Sequence, residues 1–171
     1  MLKFIKNSKP KFDVSKIDLR INSLELDDEN HYENQFIKGK DRHASIQNKV
    51  WNEDLPSEIK NYLNEIGLKN ETFTANINVQ RPGQMAPLHK DNHYYAKKYF
   101  GDGEFDRILI FLTDWKIGQV FGCVDESITK WKAGDVFTFE DDDYHWSANT
   151  GMSDKYTIVI SVMKDKFLKN D

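Results

Sequence analysis

The sequence predicts a mainly β fold in which short antiparallel strands form a sandwich or a barrel. At 171 residues, the chain is expected to form one domain, 1–171, around one hydrophobic core. Aromatic residues make up 13% of the chain and crowd its second half, where they suit a pleated sheet surface. From residue 71 onward, short apolar or alternating segments are separated by turn signals, which is typical of all-β domains.

The predicted strands cover residues 73–80, 107–112, 136–139 and 155–162. In the first strand, four apolar residues alternate with four polar ones: Phe73, Ala75, Ile77 and Val79 with Thr74, Asn76, Asn78 and Gln80. Successive side chains of a strand point to opposite faces, so one face should be apolar and the other should carry amides. The turn Ala133-Gly134-Asp135 introduces the third strand.

Residues 1–70 are expected to form an N-terminal flanking region beside a β core at 71–163. Alternating apolar residues within 12–26 predict one or two short strands. A helix should follow Pro56, which suits the first helical position, and should end at Gly67. Its apolar face consists of Ile59, Tyr62, Leu63 and Ile66.

Composition and charge weigh against several classes of function. The formal net charge is −4 and no basic run stands out, which weighs against a nucleic-acid substrate. No stretch approaches the roughly 20 apolar residues of a membrane span, and the N-terminus does not read as a signal peptide. The single cysteine, Cys123, permits no intrachain disulfide and is expected to fill the core. A soluble, cytoplasmic protein is predicted.

Three residues have the spacing of a metal site. In His89-Lys90-Asp91, the first and third side chains of an extended segment point the same way and can reach one ion. His145 follows 56 residues after His89, just beyond a predicted strand and an acidic turn. An antiparallel fold can return it beside the first pair. Two imidazoles and one carboxylate are the facial triad of non-haem iron(II) oxygenases.

Other histidines compete with this assignment. His31-Tyr32-Glu33 has the same spacing, but it lies in a polar region without a strand signal. His43 and His93 are interpreted as hydrogen-bonded residues, although His93 lies close enough to Asp91 to remain a further candidate ligand.

A basic residue and a hydroxyl follow the distal histidine. Lys155 comes ten residues after His145, and Thr157 shares its face of the predicted strand. A cation and a hydroxyl on one face are what a buried dicarboxylate end requires, since the cation balances its charge and the hydroxyl donates a hydrogen bond.

This order of motifs resembles the 2-oxoglutarate/Fe(II)-dependent dioxygenase superfamily, and in particular small oxygenases of bacteria and their phages. The resemblance covers residues 73–163. It extends beyond the metal ligands to three further segments: Asp106 to Trp115, Trp131 to Phe137 with its Ala-Gly-Asp turn, and Tyr144 to Gly151. It implies a double-stranded β-helix, or jelly roll, with one or a few flanking helices.

The resemblance also implies an activity. Fe(II) would be held by His89, Asp91 and His145. Oxidative decarboxylation of 2-oxoglutarate to succinate and CO₂ would be coupled to hydroxylation of a substrate, and ascorbate is expected to support the activity. Related halogenases lack the carboxylate ligand, so Asp91 argues against halogenation.

Several residues are expected to bind 2-oxoglutarate. Many members of the superfamily carry arginine where this chain has Lys155, and lysine lacks the bidentate fork of a guanidinium. Arg107 is a rival anchor, or else it forms a surface ion pair with Asp106 or a neighbour. Asn78 and Gln80 are the amides nearest the motif and are predicted to line the pocket.

The sequence leaves the substrate open among a protein or peptide side chain, an amino acid and a small metabolite, and oligomeric state is not readable from it. Residues 93–105 are a candidate lid with Gly101 and Gly103 as hinges. Two other classes of function compete. One is a cupin-type metal protein, such as an isomerase or ligand-binding module, that does not use 2-oxoglutarate; the other is a jelly-roll module without catalysis.

Overall fold

The computed structural model describes residues 2–17, 47–50, 55–68, 73–91, 93–140 and 144–164. Within these ranges the chain forms two α-helices and ten β-strands. The helices are α1 (Ser57–Glu65) and α2 (Tyr94–Phe100). The strands are β1 (Lys3–Asn7), β2 (Gln47–Val50), β3 (Phe73–Gln80), β4 (Gln84–His89), β5 (Phe105–Phe111), β6 (Gln119–Cys123), β7 (Ser127–Ile128), β8 (Asp135–Phe139), β9 (His145–Asn149) and β10 (Lys155–Met163). Neither of these helices is long and apolar enough to cross a bilayer.

Two antiparallel sheets contain all of these strands. The larger sheet has the order β1-β8-β5-β10-β3-β2, and the smaller has the order β4-β9-β6-β7. From β3 onward, the chain passes from one sheet to the other at each connection except the β6–β7 hairpin. This alternation is the winding of a double-stranded β-helix, so the predicted mainly β jelly roll is confirmed.

The four predicted strands correspond to β3, β5, β8 and β10, with ends that differ by no more than two residues. The strand prediction within 12–26 is wrong where it can be compared. Val14–Lys16 is a short 3₁₀ helix, because the Asp13 side chain accepts a hydrogen bond from the Ser15 amide at 3.1 Å and caps a helical turn. Residues 18–26 lie outside the described part of the chain.

Helix α1 covers the outer face of the larger sheet. It begins directly after Pro56 and is followed by Gly67, whose φ of 98° is readily adopted only by glycine. Its predicted apolar face is buried in one cluster with the outward-facing residues of the sheet: Ile59, Tyr62, Leu63 and Ile66 with Ala75, Ile77, Ile108, Ile110, Ile158 and Ile160. The Tyr62 hydroxyl donates to the carbonyl of Ser8 at 2.6 Å, and burial raises the pKa of Tyr62 to about 12.

A second core fills the space between the two sheets. Phe111 stacks on Trp131 with ring centroids 3.9 Å apart, and Phe121 contacts Phe139 at 5.7 Å. Cys123 is buried in the same cluster, as predicted for a core residue. The core between the two sheets is therefore rich in aromatic rings.

Truncating Leu63 to alanine is expected to destabilise the fold by about 2–5 kcal/mol, since a fully buried leucine leaves a cavity. Denaturant unfolding followed by circular dichroism measures this loss. Met152→Ala is the matched control because Met152 is 95% exposed. Equal losses for the two variants would contradict the packing of α1 on the sheet.

Candidate metal centre

The pairing of β4 with β9 brings two histidines together. His89 ends β4, His145 begins β9, and the two residues are direct partners in the antiparallel pair. The register shifts between Ala86 and His89, where β4 has one more residue than β9. The bulge turns His89 to the same inner face as His145, and their ring centroids lie 4.2 Å apart.

Asp91 completes the group from the segment after β4. Its Oδ1 lies 3.6 Å from Nε2 of His89, and its Oδ2 lies 3.4 Å from Nε2 of His145. The three potential ligand atoms all lie within 4.8 Å of one another. Such separations allow three donors to converge on one ion with modest adjustment of the side chains.

A backbone carbonyl orients the ring of His89. Its Nδ1 lies 2.7 Å from the carbonyl oxygen of Pro87. A carbonyl can only accept, so Nδ1 carries the proton and Nε2 presents a lone pair to the site. Desolvation by burial lowers the pKa of His89, and nearby Arg107 lowers it further, which outweighs the opposing effect of the Pro87 bond. The neutral ring is the form that binds metals.

Aromatic rings enclose His145. Phe139 lies 5.1 Å from it and Phe121 lies 6.0 Å away, measured between ring centroids. His145 itself is only 6% exposed. Two imidazoles and one carboxylate in a largely buried setting fit a divalent transition metal such as Fe(II).

Arg107 lies beside this group. It is 6% exposed, so it is not the surface residue that one interpretation of the sequence envisaged. Its Nη2 forms an ion pair with Oδ2 of Asp91, and its Nη1 donates to the hydroxyl of Ser161 at 2.5 Å. The same hydroxyl lies 3.0 Å from Nδ1 of His93. Arg107 is thus part of a buried polar network behind the metal ligands.

Lys155 lies elsewhere on the inner face of the larger sheet. It is 2% exposed, its Nζ donates to the carbonyl of Val120 at 2.7 Å, and it lies 5.7 Å from the centroid of Trp131. Within the described residues, no carboxylate pairs with it. Desolvation by burial lowers the pKa of Lys155 from 10.5 to about 7.

Strand register places the other predicted pocket residues beside Lys155. Gln80 is its direct partner on β3, and Asn78 is the partner of Thr157. The Gln80 amide donates to the hydroxyl of Ser147 at 3.1 Å, so it links the two sheets. Oδ1 of Asn78 is buried and has no hydrogen-bond partner in the described part of the chain. Asn78 therefore retains capacity for a ligand, whereas Gln80 is largely engaged.

The spacing of residues along β6 gives the approximate distance between Lys155 and the two histidines of the metal site. Val120, which accepts from Lys155, is three residues from Cys123, the direct partner of His145. Three residues of strand span roughly 10 Å. The structure thus brings His89, Asp91 and His145 into one cluster and Lys155, Thr157, Asn78 and Gln80 into a second, while Arg107 joins the first.

The remaining candidates are placed as follows. His31, Glu33 and His43 lie outside the described residues. His93 is buried but does not belong to the group of potential ligands. Residues 93–105 contain α2, with Ala96 buried, and their role as a lid remains a prediction.

Sequence reasoning missed Ser161. The signal was present, because Ser161 continues the inner-face series of Lys155 and Thr157 at even spacing along β10.

Comparisons with known proteins find similarity among solved structures only. No family model matches the chain, and no curated protein matches it. Among solved structures, a cupin domain from Bordetella pertussis is 13% identical, with a TM-score of 0.43 over 70% of this chain and 94% of that one. A protein with a double-stranded β-helix domain from Klebsiella pneumoniae is 10% identical, with a TM-score of 0.44 over 78% and 88%. A predicted oxalate decarboxylase from Thermotoga maritima is 22% identical, with a TM-score of 0.38 over 55% and 69%.

The buried amine of Lys155 should make stability depend on pH. Above pH 7 the folded protein holds Lys155 neutral, whereas the unfolded chain binds a proton up to pH 10.5. The free energy of unfolding should therefore rise between pH 7 and 10.5, by up to about 1.4 kcal/mol for each pH unit from this group. Urea unfolding of the wild type and of Lys155→Met at several pH values measures how much Lys155 contributes to the pH dependence of the unfolding free energy. Lys132→Met, which replaces an exposed lysine, is the control. Identical slopes for wild type and Lys155→Met would contradict it.

Proposed function

We propose that this chain is a non-haem Fe(II) dioxygenase that couples oxidative decarboxylation of 2-oxoglutarate to hydroxylation of a substrate. One observation carries the proposal. The ligand atoms of His89, Asp91 and His145 lie within 4.8 Å of one another on the inner face of a double-stranded β-helix. The buried Lys155 supports it, because its acceptor Val120 lies roughly 10 Å along β6 from Cys123, the strand partner of His145.

Each residue of the first cluster has a defined role in this proposal. His89 and His145 would bind Fe(II) through Nε2, and Asp91 would bind through a carboxylate oxygen. Three protein donors leave the other positions of the ion for the co-substrate and O₂. Iron(II) together with 2-oxoglutarate supplies the oxidising chemistry when both are bound. The rings of Phe121 and Phe139 exclude water from the side of His145.

The second cluster would hold the far carboxylate of 2-oxoglutarate. A carboxylate enters a buried site at high cost unless a cation and hydrogen-bond donors meet it there. Lys155 offers the cation, the Thr157 hydroxyl is buried on the same face, and Asn78 has spare hydrogen-bonding capacity. In this proposal Lys155 is the anchor, because Arg107 is already paired with Asp91.

A metal protein of cupin type that does not use 2-oxoglutarate is the second candidate. One observation favours it: Lys155 already donates to the carbonyl of Val120, so a structural role would also satisfy it. An isomerase or ligand-binding module would then use the three metal ligands alone. Release of succinate from 2-oxoglutarate separates the two candidates. A screen of peptides, amino acids and small metabolites for stimulated release then identifies the substrate class.

Wild-type protein with Fe(II), ascorbate and O₂ is expected to release succinate slowly from 2-oxoglutarate without any substrate. His145→Ala should reduce this to the level of free Fe(II), because two protein ligands hold the ion too weakly. Succinate is quantified by mass spectrometry, with Met152→Ala, at an exposed position, as the control. Equal release by the wild type and His145→Ala would defeat the assignment.

Binding of 2-oxoglutarate should depend on the charge of Lys155. Because its pKa is about 7, the anchor must take up a proton at higher pH. The dissociation constant should rise by up to about tenfold for each pH unit above 7. Calorimetric titration of Mn(II)-loaded protein measures this, and Lys155→Arg should flatten the profile because a guanidinium stays charged.

Lys155→Met should weaken binding by about 10- to 100-fold at pH 7 through loss of a charged hydrogen bond. Arg107→Ala should have the smaller effect. If Arg107→Ala weakened binding more than Lys155→Met, Arg107 would be the residue that holds the far carboxylate of 2-oxoglutarate.

A further inference from the structure

The inner face of the barrel is accessible from one side. The inward-facing residues Asn76 and Asn78 on β3 and Val159 on β10 are partly exposed, although they lie in the middle of their strands. Farther from this side, Leu109 and Phe111 on β5 are fully buried. The described strands of the larger sheet end at β2 on the accessible side, and those of the smaller sheet end at β4. The inner face therefore has an opening between β2 and β4.

This opening leads to the metal ligands. His89 ends β4 and its side chain is 17% exposed, and the side chain of Asp91, just after β4, is 23% exposed. The side chains of His145 and Arg107, on strands farther from the opening, are only 8% exposed. A substrate that enters between β2 and β4 thus meets His89 and Asp91 first.

We propose that the substrate of the metal centre is an extended polypeptide segment that binds along β4 in this opening. The inference rests on the proposed function and names its substrate class. Among the described strands, β4 pairs only with β9, so its other edge presents backbone N–H and C=O groups. Pro87 within β4 is consistent with such an edge, because proline has no N–H to pair. An extended segment can join an edge strand through main-chain hydrogen bonds.

Apolar side chains border this edge on the outer face of the smaller sheet. Met85 and Leu88 on β4 are 39% and 52% exposed. Side chains of an added strand would alternate between the two faces of the sheet. When one residue of the segment faces inward beside His89, the residues directly before and after it face outward beside Leu88. We therefore expect an apolar residue next to the residue that is oxidised.

A carboxamide inside the opening suits a peptide group. The side chain of Asn76 is partly exposed on the inner face and forms no hydrogen bond with any described residue. Its amide provides both donors and an acceptor, which match the C=O and N–H of a polypeptide backbone. Asn76 is therefore the side chain that we expect to bind the backbone of the segment from the larger sheet.

A free amino acid fits the opening less well. Its α-ammonium and α-carboxylate both need charged partners when they leave water. Of the two basic side chains described on the inner face, Arg107 is paired with Asp91, and Lys155 is the proposed anchor of the co-substrate. Inside a polypeptide the backbone is neutral and requires only hydrogen bonds, which β4 and Asn76 can supply.

Two mixtures distinguish a polypeptide from free amino acids. The probe is a library of octapeptides with blocked ends, and its control is a mixture of free amino acids in the same proportions. The library should raise succinate release by the Fe(II)-loaded wild type several-fold above the substrate-free rate, and the amino acids should not. Mass spectrometry should then find peptides that have gained one oxygen atom beside an apolar residue.

Stimulation by the amino acids alone, or by neither mixture, would overturn the inference, while substrate-free release of succinate would still uphold the proposed function. If no succinate were released under any condition, both would be overturned.

Retention of the library by metal-free protein tests the opening without catalysis. Leu88→Ser removes an apolar side chain beside the edge of β4, and Asn76→Ala removes the carboxamide. Each should lower the amount of peptide retained on ultrafiltration by about 5- to 10-fold. Ile117→Ser and Asn64→Ala, at exposed positions outside the opening, are the matched controls. Retention equal to that of the wild type in either Leu88→Ser or Asn76→Ala would overturn the inference.

Discussion

The register of β4 against β9 is the constraint on which the rest of the site depends. It sets His89 directly opposite His145 and, through β6, sets Cys123 beside them. Side chains alternate along a strand, so a slip of one residue would carry His145 to the outer face and turn Tyr144 or Trp146 inward. The bulge before His89 is part of the same arrangement, because it restores the inward direction of that ring after Pro87.

The inner face of the larger sheet departs from the usual rule that cores are apolar. It buries two basic side chains, those of Arg107 and Lys155, which have different partners. Arg107 is paired with Asp91, whereas Lys155 contacts a backbone carbonyl and the ring of Trp131 but no carboxylate among the described residues, and burial lowers its pKa far below the ordinary value. A buried charge without a counterion lowers stability. Local departures of this kind are expected at functional sites, where the fold around them supplies the compensating stability.

That compensation comes from the opposite face of the same sheet. Strands β3, β5 and β10 carry apolar residues outward against α1, and their inward faces include polar side chains. Because the outward face of these strands is largely apolar and packs against α1, the inward face can carry Asn78, Lys155 and Thr157 without losing the fold. Because side chains alternate between the two faces of a strand, one face can stabilise the fold while the other carries the candidate functional residues.

Much of this arrangement could be predicted from local patterns. The alternation of residues in β3 and β10 predicted which side chains of those strands share a face. The spacing of apolar residues in α1 predicted its buried face. The His89–Asp91 spacing and the hydroxyl two residues after Lys155 identified groups that share a face. The segment from 12 to 17 shows the limit, because one Asp13 side chain capped a turn and outweighed a pattern of alternation.

For the four strands that it predicted, the sequence by itself determined which side chains share a face, because that depends only on the alternation of neighbouring residues along the chain. Tertiary structure alone decided which inward side chains meet. Arg107, and not Lys155, is the basic residue that contacts Asp91. In the β5–β10 pair, Arg107 lies opposite Ser161, which is near the end of β10 farthest from Lys155. This strand pairing joins residues more than fifty positions apart. It depends on how the two sheets pack as a whole, which local sequence patterns do not contain.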